Sequence, residues 1–533
     1  MSEGPPADDV SEAERAKWRP RANPWAIAIV VTLAAFMEVL DTTIVNVALP
    51  HIAGSLSAGQ DESTWTLTSY LVANSIVLPI SGWFGKVLGR KRYFMICIGM
   101  FTLCSLFCGM ATSLWQLILA RLFQGFFGGG LQPNQQSIVL DTFVPAMRGA
   151  AFGVTAIAIV VAPVLGPTLG GWITDNYSWR WIFFINVPVG IVTWLLVATL
   201  VEDPPWAKAG AVRAGIDYIG LGLIAIGLGS LQIMLDRGEQ DDWLASPFIL
   251  TMAVLAVLGI VGAACWLVSA KNPVVDLRAL ADRNLAVGCA TIFAMALVLY
   301  ASAVLLPQLS QQHLGYTSTL AGLLLSPGAI LTIVGIAVVG RIMPHVQIRY
   351  IVVAGFIALG ASLLWSADIN PQVDFRTLVL MRSAQSVSLA LLFVPITTVT
   401  FATIDKRLNA DATSLCTMFR NIAGSIGISI STALVTSRSQ IRQAHLAPHL
   451  SPQEQPYLDT LHQYMATLKS QGAASIDTLS TAMGLLYRNL VTQSAVLAYI
   501  DVFMLSAIMC FLVAPLALLF SPIKGGQGQS VME

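Results

Sequence analysis

Five ionisable residues sit where the surrounding sequence is almost wholly apolar: Glu38, Asp41, Arg121, Arg382 and Arg420. A charged side chain at membrane depth is costly enough that each marks a candidate functional site with a partner to be found. Glu38 and Asp41 are three residues apart, so on a helix they share one face. Low dielectric disfavours the charged form of a carboxyl group and brings proton uptake and release closer to neutrality. Such a pair suits proton coupling. The competing use is structural, with the same side chains tying helices together through backbone and polar neighbours. For Arg382 and Arg420 two roles stay open: holding a substrate anion, or bracing the second half of the chain.

The elements that must position these residues are membrane helices. Of 533 residues 56% are hydrophobic and 11% charged, and the mean hydropathy is +0.72. Apolar stretches of about 20 residues recur along nearly the whole chain, each long enough to cross a hydrocarbon core of about 30 Å. The expectation is an all-α polytopic protein of fourteen spans, with span 1 near 25–49, span 4 near 115–138, span 13 near 412–435 and span 14 near 497–520. Residues 1–24 read as a tail, 25–201 as a six-helix bundle and 202–284 as two inserted spans with their loops. Residues 285–520 read as a second six-helix bundle containing a long external segment, 436–496, and 521–533 as a second tail.

Lys86, Arg90, Lys91 and Arg92 crowd one loop, whereas the segments after spans 1, 3 and 9 contain no Lys or Arg. By the positive-inside rule both termini are then cytoplasmic. The mixed charges of the first 24 residues, ahead of a full-length span, point to a tail rather than a cleaved signal. Zero net charge gives no reason to expect a nucleic-acid partner. Cys97, Cys104, Cys108, Cys265, Cys289, Cys416 and Cys510 fall in apolar runs without ligand spacing, so they read as small core residues and no metal is expected. With no nucleotide loop or nucleophile motif, no enzyme, cofactor or direct use of ATP is expected, and the Glu38 and Asp41 carboxyls make a proton gradient the expected energy source.

Counting about 1.5 Å per residue puts Asp41 and Arg121 at similar depth, so an ion pair or shared hydrogen-bond network is feasible. The chain also repeats itself, as transporter folds often do. Arg121-x-x-Gln124 in span 4 recurs as Arg382-x-x-Gln385 in span 12, offset by 261 residues. Ala48-Leu49-Pro50 at the end of span 1 recurs as Leu305-Leu306-Pro307 at the end of span 9, offset by 257. Spans 1–6 and 9–14 are then the halves, and spans 7 and 8 the insertion. In span 5, Gly166-Pro167-Thr168-Leu169-Gly170-Gly171 offers a close-packed, bendable helix contact, which packing needs alone also explain. Phe36, Asn46, Gln124, Asn134, Tyr300, Gln308, Arg382, Phe393 and Arg420 are polar or aromatic groups at membrane depth that could orient a hydrophobic ligand, or serve as contacts between helices.

These residues also spell a family. Leu40-Asp41-Thr42-Thr43-Ile44-Val45-Asn46-Val47-Ala48-Leu49-Pro50 resembles the span 1 motif of the fourteen-span drug:proton antiporters of the major facilitator superfamily. Leu117-x-x-x-Arg121-x-x-Gln124-Gly125 resembles the superfamily's span 4 motif, whose arginine is associated with proton transfer, and Gly153 through Gly171 resembles the span 5 motif of antiporters. A narrower resemblance, to the EmrB group, runs through Trp172–Tyr177, Trp181–Pro188 and Ser230–Gly238. There are departures. In the loop motif from Gly82 through Gly89 and Arg90 to Arg92, Lys86 stands where the general pattern has Asp and Val87 where it has Arg; Ala162 replaces the middle glycine of the span 5 motif.

The resemblance implies a major facilitator fold in which two bundles alternate access around a midplane cavity. Asp41 would exchange protons, modulated by Arg121 and Glu38, and Gly82, Gly89, Arg90, Gly166, Pro167, Gly170 and Gly171 would belong to the moving contacts. It further implies efflux of hydrophobic or amphipathic toxic compounds, in exchange for protons, across the inner membrane of a Gram-negative bacterium. The partners implied are a periplasmic adaptor of the EmrA type and an outer-membrane channel of the TolC type. An uptake symporter for an organic acid would use the same fold and carboxylate and remains the alternative. In the external segment a helix-like run from Pro452 to Leu468 places Tyr457, Leu461, Tyr464 and Leu468 in one stripe, free to dock a partner or to pack on the protein itself.

Overall fold

Asn23 opens the first span: its side chain accepts a hydrogen bond from Trp25 N–H at 2.9 Å, and Pro24 takes the first helical position, where a missing N–H costs nothing. The apolar stretch that follows becomes α1, Pro24–Ser55. The computed structural model describes residues 18–204, 217–270, 273–404, 408–451, 454–470 and 478–523, and is all-helical over them. The remaining long helices are α2 Trp65–Leu88, α3 Arg90–Met110, α4 Leu114–Gly128, α5 Leu131–Thr142, α6 Pro145–Asn176, α7 Trp181–Leu200, α8 Tyr218–Arg237 and α9 Pro247–Ser269. They continue as α10 Arg283–Gln312, α11 Ser318–Ile342, α12 Ile348–Ser366, α13 Phe375–Thr400, α14 Asn409–Leu446, α15 Gln455–Ser470 and α16 Thr478–Val513.

Among the described residues thirteen helices are long and apolar enough to cross a membrane. The remaining expected span, span 4, is divided into α4 and α5, of 15 and 12 residues. The interruption falls at Gly129 and Gly130, where helix propensity is weakest. Both keep right-handed backbone angles, and Gly129 N–H still bonds the Gly125 carbonyl at 2.9 Å, so the chain continues in the same hand. The outward faces are apolar: Trp115, Leu119 and Phe123 on α4 and Val254, Val257, Leu258 and Val261 on α9 are all exposed. Exposed apolar surface of that extent has lipid for its solvent. Six of the seven cysteines are buried, as expected; Cys265 is exposed on α9.

Helix pairings repeat between the halves. α1 packs on α6 as α10 packs on α14, α4 packs on α2 and α3 as α13 packs on α11 and α12, and α7 meets α3 as α16 meets α12. The halves meet along α6 with α11 and along α2 with α14. The inserted α8 and α9 pack on each other, and α8 lies against both α2 and α14. Gln232 of α8 accepts from Ser75 Oγ of α2 at 3.2 Å and from Ser425 Oγ of α14 at 3.1 Å, so the insertion is fastened to both halves.

The external segment departs from expectation. α14 runs past the expected boundary to Leu446 and α16 starts at Thr478, so most of 436–496 is helical. At about 1.5 Å per residue α14 is roughly 57 Å long, well beyond an apolar core of about 30 Å. Arg442 and Asp501 pair at 2.7 Å and hold these two helices together. The stripe of Tyr457, Leu461, Tyr464 and Leu468 lies on α15 and packs against Ala482 and Leu486 of α16, so it is covered by the protein itself. Residues 1–17 and 524–533 of the expected tails, part of the 202–284 insertion and the Pro452 start of the helix-like run lie outside the described residues.

Close approach of backbones fixes the bundle. A Cβ on Gly125 of α4 would lie 2.2 Å from the Tyr70 carbonyl oxygen of α2, a backbone atom that cannot turn aside. Gly125→Ala is therefore expected to destabilise the fold by about 1–3 kcal/mol, read as a lower melting temperature of the detergent-purified protein; an unchanged value would contradict this packing.

Candidate functional site

Asp41 of α1 lies at the centre of a sealed polar cluster. Its Oδ2 accepts from Arg121 Nη1 of α4 at 2.5 Å, and its Oδ1 accepts from Gln124 Nε2 at 3.1 Å and from Asn186 Nδ2 of α7 at 2.8 Å. The Arg121 and Asp41 side chains are both 0% exposed. Arg121 also donates to Gln124 Oε1 at 2.9 Å and to the Thr66 carbonyl at 3.3 Å, and its guanidinium lies 4.2 Å from the centre of the Tyr70 ring. Arg121 and Gln124 are three apart and so reach Asp41 from one face of α4. Asn186 was not singled out from the sequence. Its side chain continues the network to Ser105 of α3 at 3.1 Å.

Glu38, one turn away, has a different environment. It accepts from the Tyr70 hydroxyl and Asn74 Nδ2 of α2, each at 3.2 Å, and from Gln132 Nε2 of α5. Gln132 in turn accepts from Arg420 Nη2 of α14. A continuous polar chain thus runs from Glu38 in the first half to Arg420 in the second. Tyr70, Asn74 and Gln132 are additions to the expected site. Their signals were the i, i+4 polar pair on span 2 and the run Gln132-Pro133-Asn134-Gln135-Gln136, unusually polar for a membrane helix.

Arg382 repeats the position of Arg121 but not its environment. Its Nη1 donates to Ser302 Oγ at 2.8 Å and to Gln385 Oε1 at 3.1 Å, and Gln385 Nε2 reaches Ser366 Oγ at 2.8 Å. Ser302 and Ser366 stand 261 positions after Asp41 and Ser105, the offset that relates the two arginines. The repeat therefore extends to the polar network, with serine where the first half has its acid.

The end of the bundle that carries the lysine and arginine cluster is latched. Lys86 of α2 pairs with Asp411 of α14, and Arg90 pairs with the buried Asp141 of α5, which also accepts from Asn409 of α14 at 3.2 Å. Ser81 meets Ser414 at 2.9 Å, and a Cβ on Gly82 would lie 2.9 Å from the Ala410 carbonyl oxygen. Gly89 turns the chain into α3 with φ +82°, a conformation other residues adopt only with strain. Lys86 thus keeps an ion pair between the halves, with the acid supplied by Asp411.

Several expected site residues lie elsewhere. Asn134 donates to the Arg90 carbonyl at 3.0 Å, which makes it part of this latch rather than a cavity wall. Phe393 is buried in the main apolar core, and Phe36 packs beside Val39, Leu40 and Ala162. Tyr300 covers Gly424, Asn46 is exposed, and Gln308 is partly buried. Gly166 and Gly170 admit Thr43 and Ile44 of α1, with Pro167 within the same helix and Gly171 near Val47. A cavity of about 450 Å³ between α10 and α14 is lined by Leu280, Ala286, Cys289, Ala290, Phe293 and Phe419, none of them among the expected lining residues.

A family model described as the Major Facilitator Superfamily matches residues 31–428. The chain belongs to that superfamily. It is a polytopic membrane protein and a secondary transporter, and its relatives are of the EmrB kind. It is 39% identical to the multidrug export protein EmrB of Escherichia coli K12, over 80% of this chain and 83% of that one. It is 35% identical to the fatty acid resistance protein FarB of Neisseria gonorrhoeae, over 94% and 97%. Among solved structures, the human organic anion transporter MFSD10 aligns over 92% of this chain and 100% of that one, with TM-score 0.57 and 13% identity, a likeness of fold.

The Lys86–Asp411 pair is open to a charge-exchange test. Lys86→Asp or Asp411→Lys alone should lower the melting temperature by placing like charges together. The double reversal should recover it, with a coupling of about 0.5–3 kcal/mol. Additive losses would show that the two side chains do not act as a pair.

Proposed function

We propose that this facilitator exports hydrophobic and amphipathic toxic compounds in exchange for protons, and that Asp41 is the proton-carrying group. The observation that carries the reading is the sealed contact of Asp41 with Arg121, Gln124 and Asn186. As a carboxylate, Asp41 places both oxygens on a guanidinium and two amide donors. Protonation removes its charge and leaves Arg121 with Gln124 and the Thr66 carbonyl. The pair that joins α1 to α4 is then weakened, and breaking such a pair carries a cost of about 3–5 kcal/mol. Glu38 supplies the second link, because its chain through Gln132 to Arg420 crosses between the halves. A proton on Glu38 weakens that crossing. The state of two carboxyl groups on one helix thereby biases whether the halves hold together or part.

Relatives named for multidrug export and fatty acid resistance, at 39% and 35% identity, support the substrate class. In the proposed setting, a bacterial inner membrane, the latched Lys86 and Arg90 end and both termini face the cytoplasm. There the membrane potential supplies about 2.3 kcal/mol per charge per 100 mV. The family resemblance makes an EmrA-type adaptor and a TolC-type channel the proposed partners, with the part of α14, α15 and α16 beyond the membrane on the periplasmic side.

In inverted vesicles under an imposed pH gradient, the wild-type protein should accumulate a hydrophobic dye, and an uncoupler should abolish the accumulation. Asp41→Asn should lose at least tenfold of that gradient-driven component. Accumulation in Asp41→Asn equal to wild type would remove Asp41 from the coupling step.

A further inference from the structure

Arg382 is a buried cation without an acid. It is 6% exposed, and no carboxylate lies within 4.0 Å of it among the described residues. α10, α11, α12 and α13, the helices around it, contain no Asp or Glu at all. Its hydrogen bonds leave from Nη1 alone, to Ser302 and Gln385. Nε is buried with no partner, and Nη2 makes no hydrogen bond within the protein. In the first half the matching Nε donates to the Thr66 carbonyl and the matching Nη1 to Asp41. The free Nε and Nη2 form the edge of a guanidinium that grips a carboxylate in two parallel bonds.

A lone buried charge is unfavourable, and the Ser302 hydroxyl and Gln385 amide oxygen that bond Arg382 do not neutralise it. Packing alone does not require a cation here, since a neutral side chain could bond Ser302 and Gln385 equally well. We infer that the free edge of Arg382 receives the oxyanion, a carboxylate or a sulfonate, of an amphipathic substrate, which supplies to Arg382 the negative charge that Asp41 supplies to Arg121. The two halves then divide the work: the first holds the acids that bind protons, the second a cation that binds the anionic head of the cargo. This inference rests on the export reading and names the substrate class that the second half selects.

Ser302→Asp tests it by placing a carboxylate of the protein's own beside Arg382. In vesicles, transport of a fatty acid and of the cationic dye ethidium is measured for each variant. The ratio of fatty acid to dye transport should fall at least tenfold in Ser302→Asp and in Arg382→Gln, whereas Ser302→Asn, of similar size and uncharged, should move both rates together. An unchanged ratio in Ser302→Asp, or an equal fall in Ser302→Asn, would overturn the assignment. If Ser302→Asp does not fold, melting of the purified wild-type protein decides. The fatty acid should raise the midpoint more than its methyl ester does, and Arg382→Gln should abolish that difference; equal shifts for acid and ester overturn the assignment. Dye transport that still collapses with an uncoupler upholds the export reading whichever way the anion result falls.

Discussion

A carboxylate and a guanidinium with no access to water constrain the rest of this molecule. Removing both from solvent costs several kcal/mol per ion, and their attraction offsets that only when geometry is good and the remaining lone pairs are occupied. Asp41 meets the condition through Gln124 and Asn186; Arg121 bonds Gln124 and Thr66 besides Asp41, with Nη2 left against the Tyr70 and Phe183 rings without a hydrogen-bond partner. Three spans, represented by α1, α4 and α7, must therefore pack at one depth. α2 must come close enough to bring the Thr66 carbonyl and the Tyr70 ring to Arg121. The small residue at Gly125 is the steric condition for that approach. The fold can be seen as the set of helix contacts that keeps this pair dry.

The second half repeats the scaffold and changes the chemistry. Arg382, Gln385, Ser302 and Ser366 occupy the offsets of Arg121, Gln124, Asp41 and Ser105, yet the substitution of serine for the acid leaves one half with a neutralised pair and the other with a bare cation. Between them, Glu38, Gln132 and Arg420 form a crossing whose strength depends on charge. At the latched end Lys86 and Asp411 form a second crossing. Polar links thus join the halves alongside the contact of α6 with α11.

Much of this was legible in the residues. Hydropathy located the spans because lipid tolerates little else, and the depth count paired Asp41 with Arg121 because helical rise is constant. What escaped notice has a common cause. Asn186, Tyr70, Asn74 and Gln132 are uncharged, so at membrane depth nothing separates them from ordinary contacts between helices until a partner is known. Asp411 lies at a span end, where an acid is unremarked unless Lys86 is seen across the interface. The helical extensions of α14 and α16 beyond their apolar stretches, and the burial of the α15 stripe on α16, depend on contacts between distant segments that periodicity does not report.

The most direct test of the central claim is proton release on ligand binding. Purified protein in weak buffer with a pH-indicator dye is titrated with a hydrophobic cation. The account predicts that wild-type protein releases protons on binding and that Asp41→Asn binds the cation with that release lost or sharply reduced. Release from Asp41→Asn equal to that from wild type would contradict the assignment of the transported proton to Asp41.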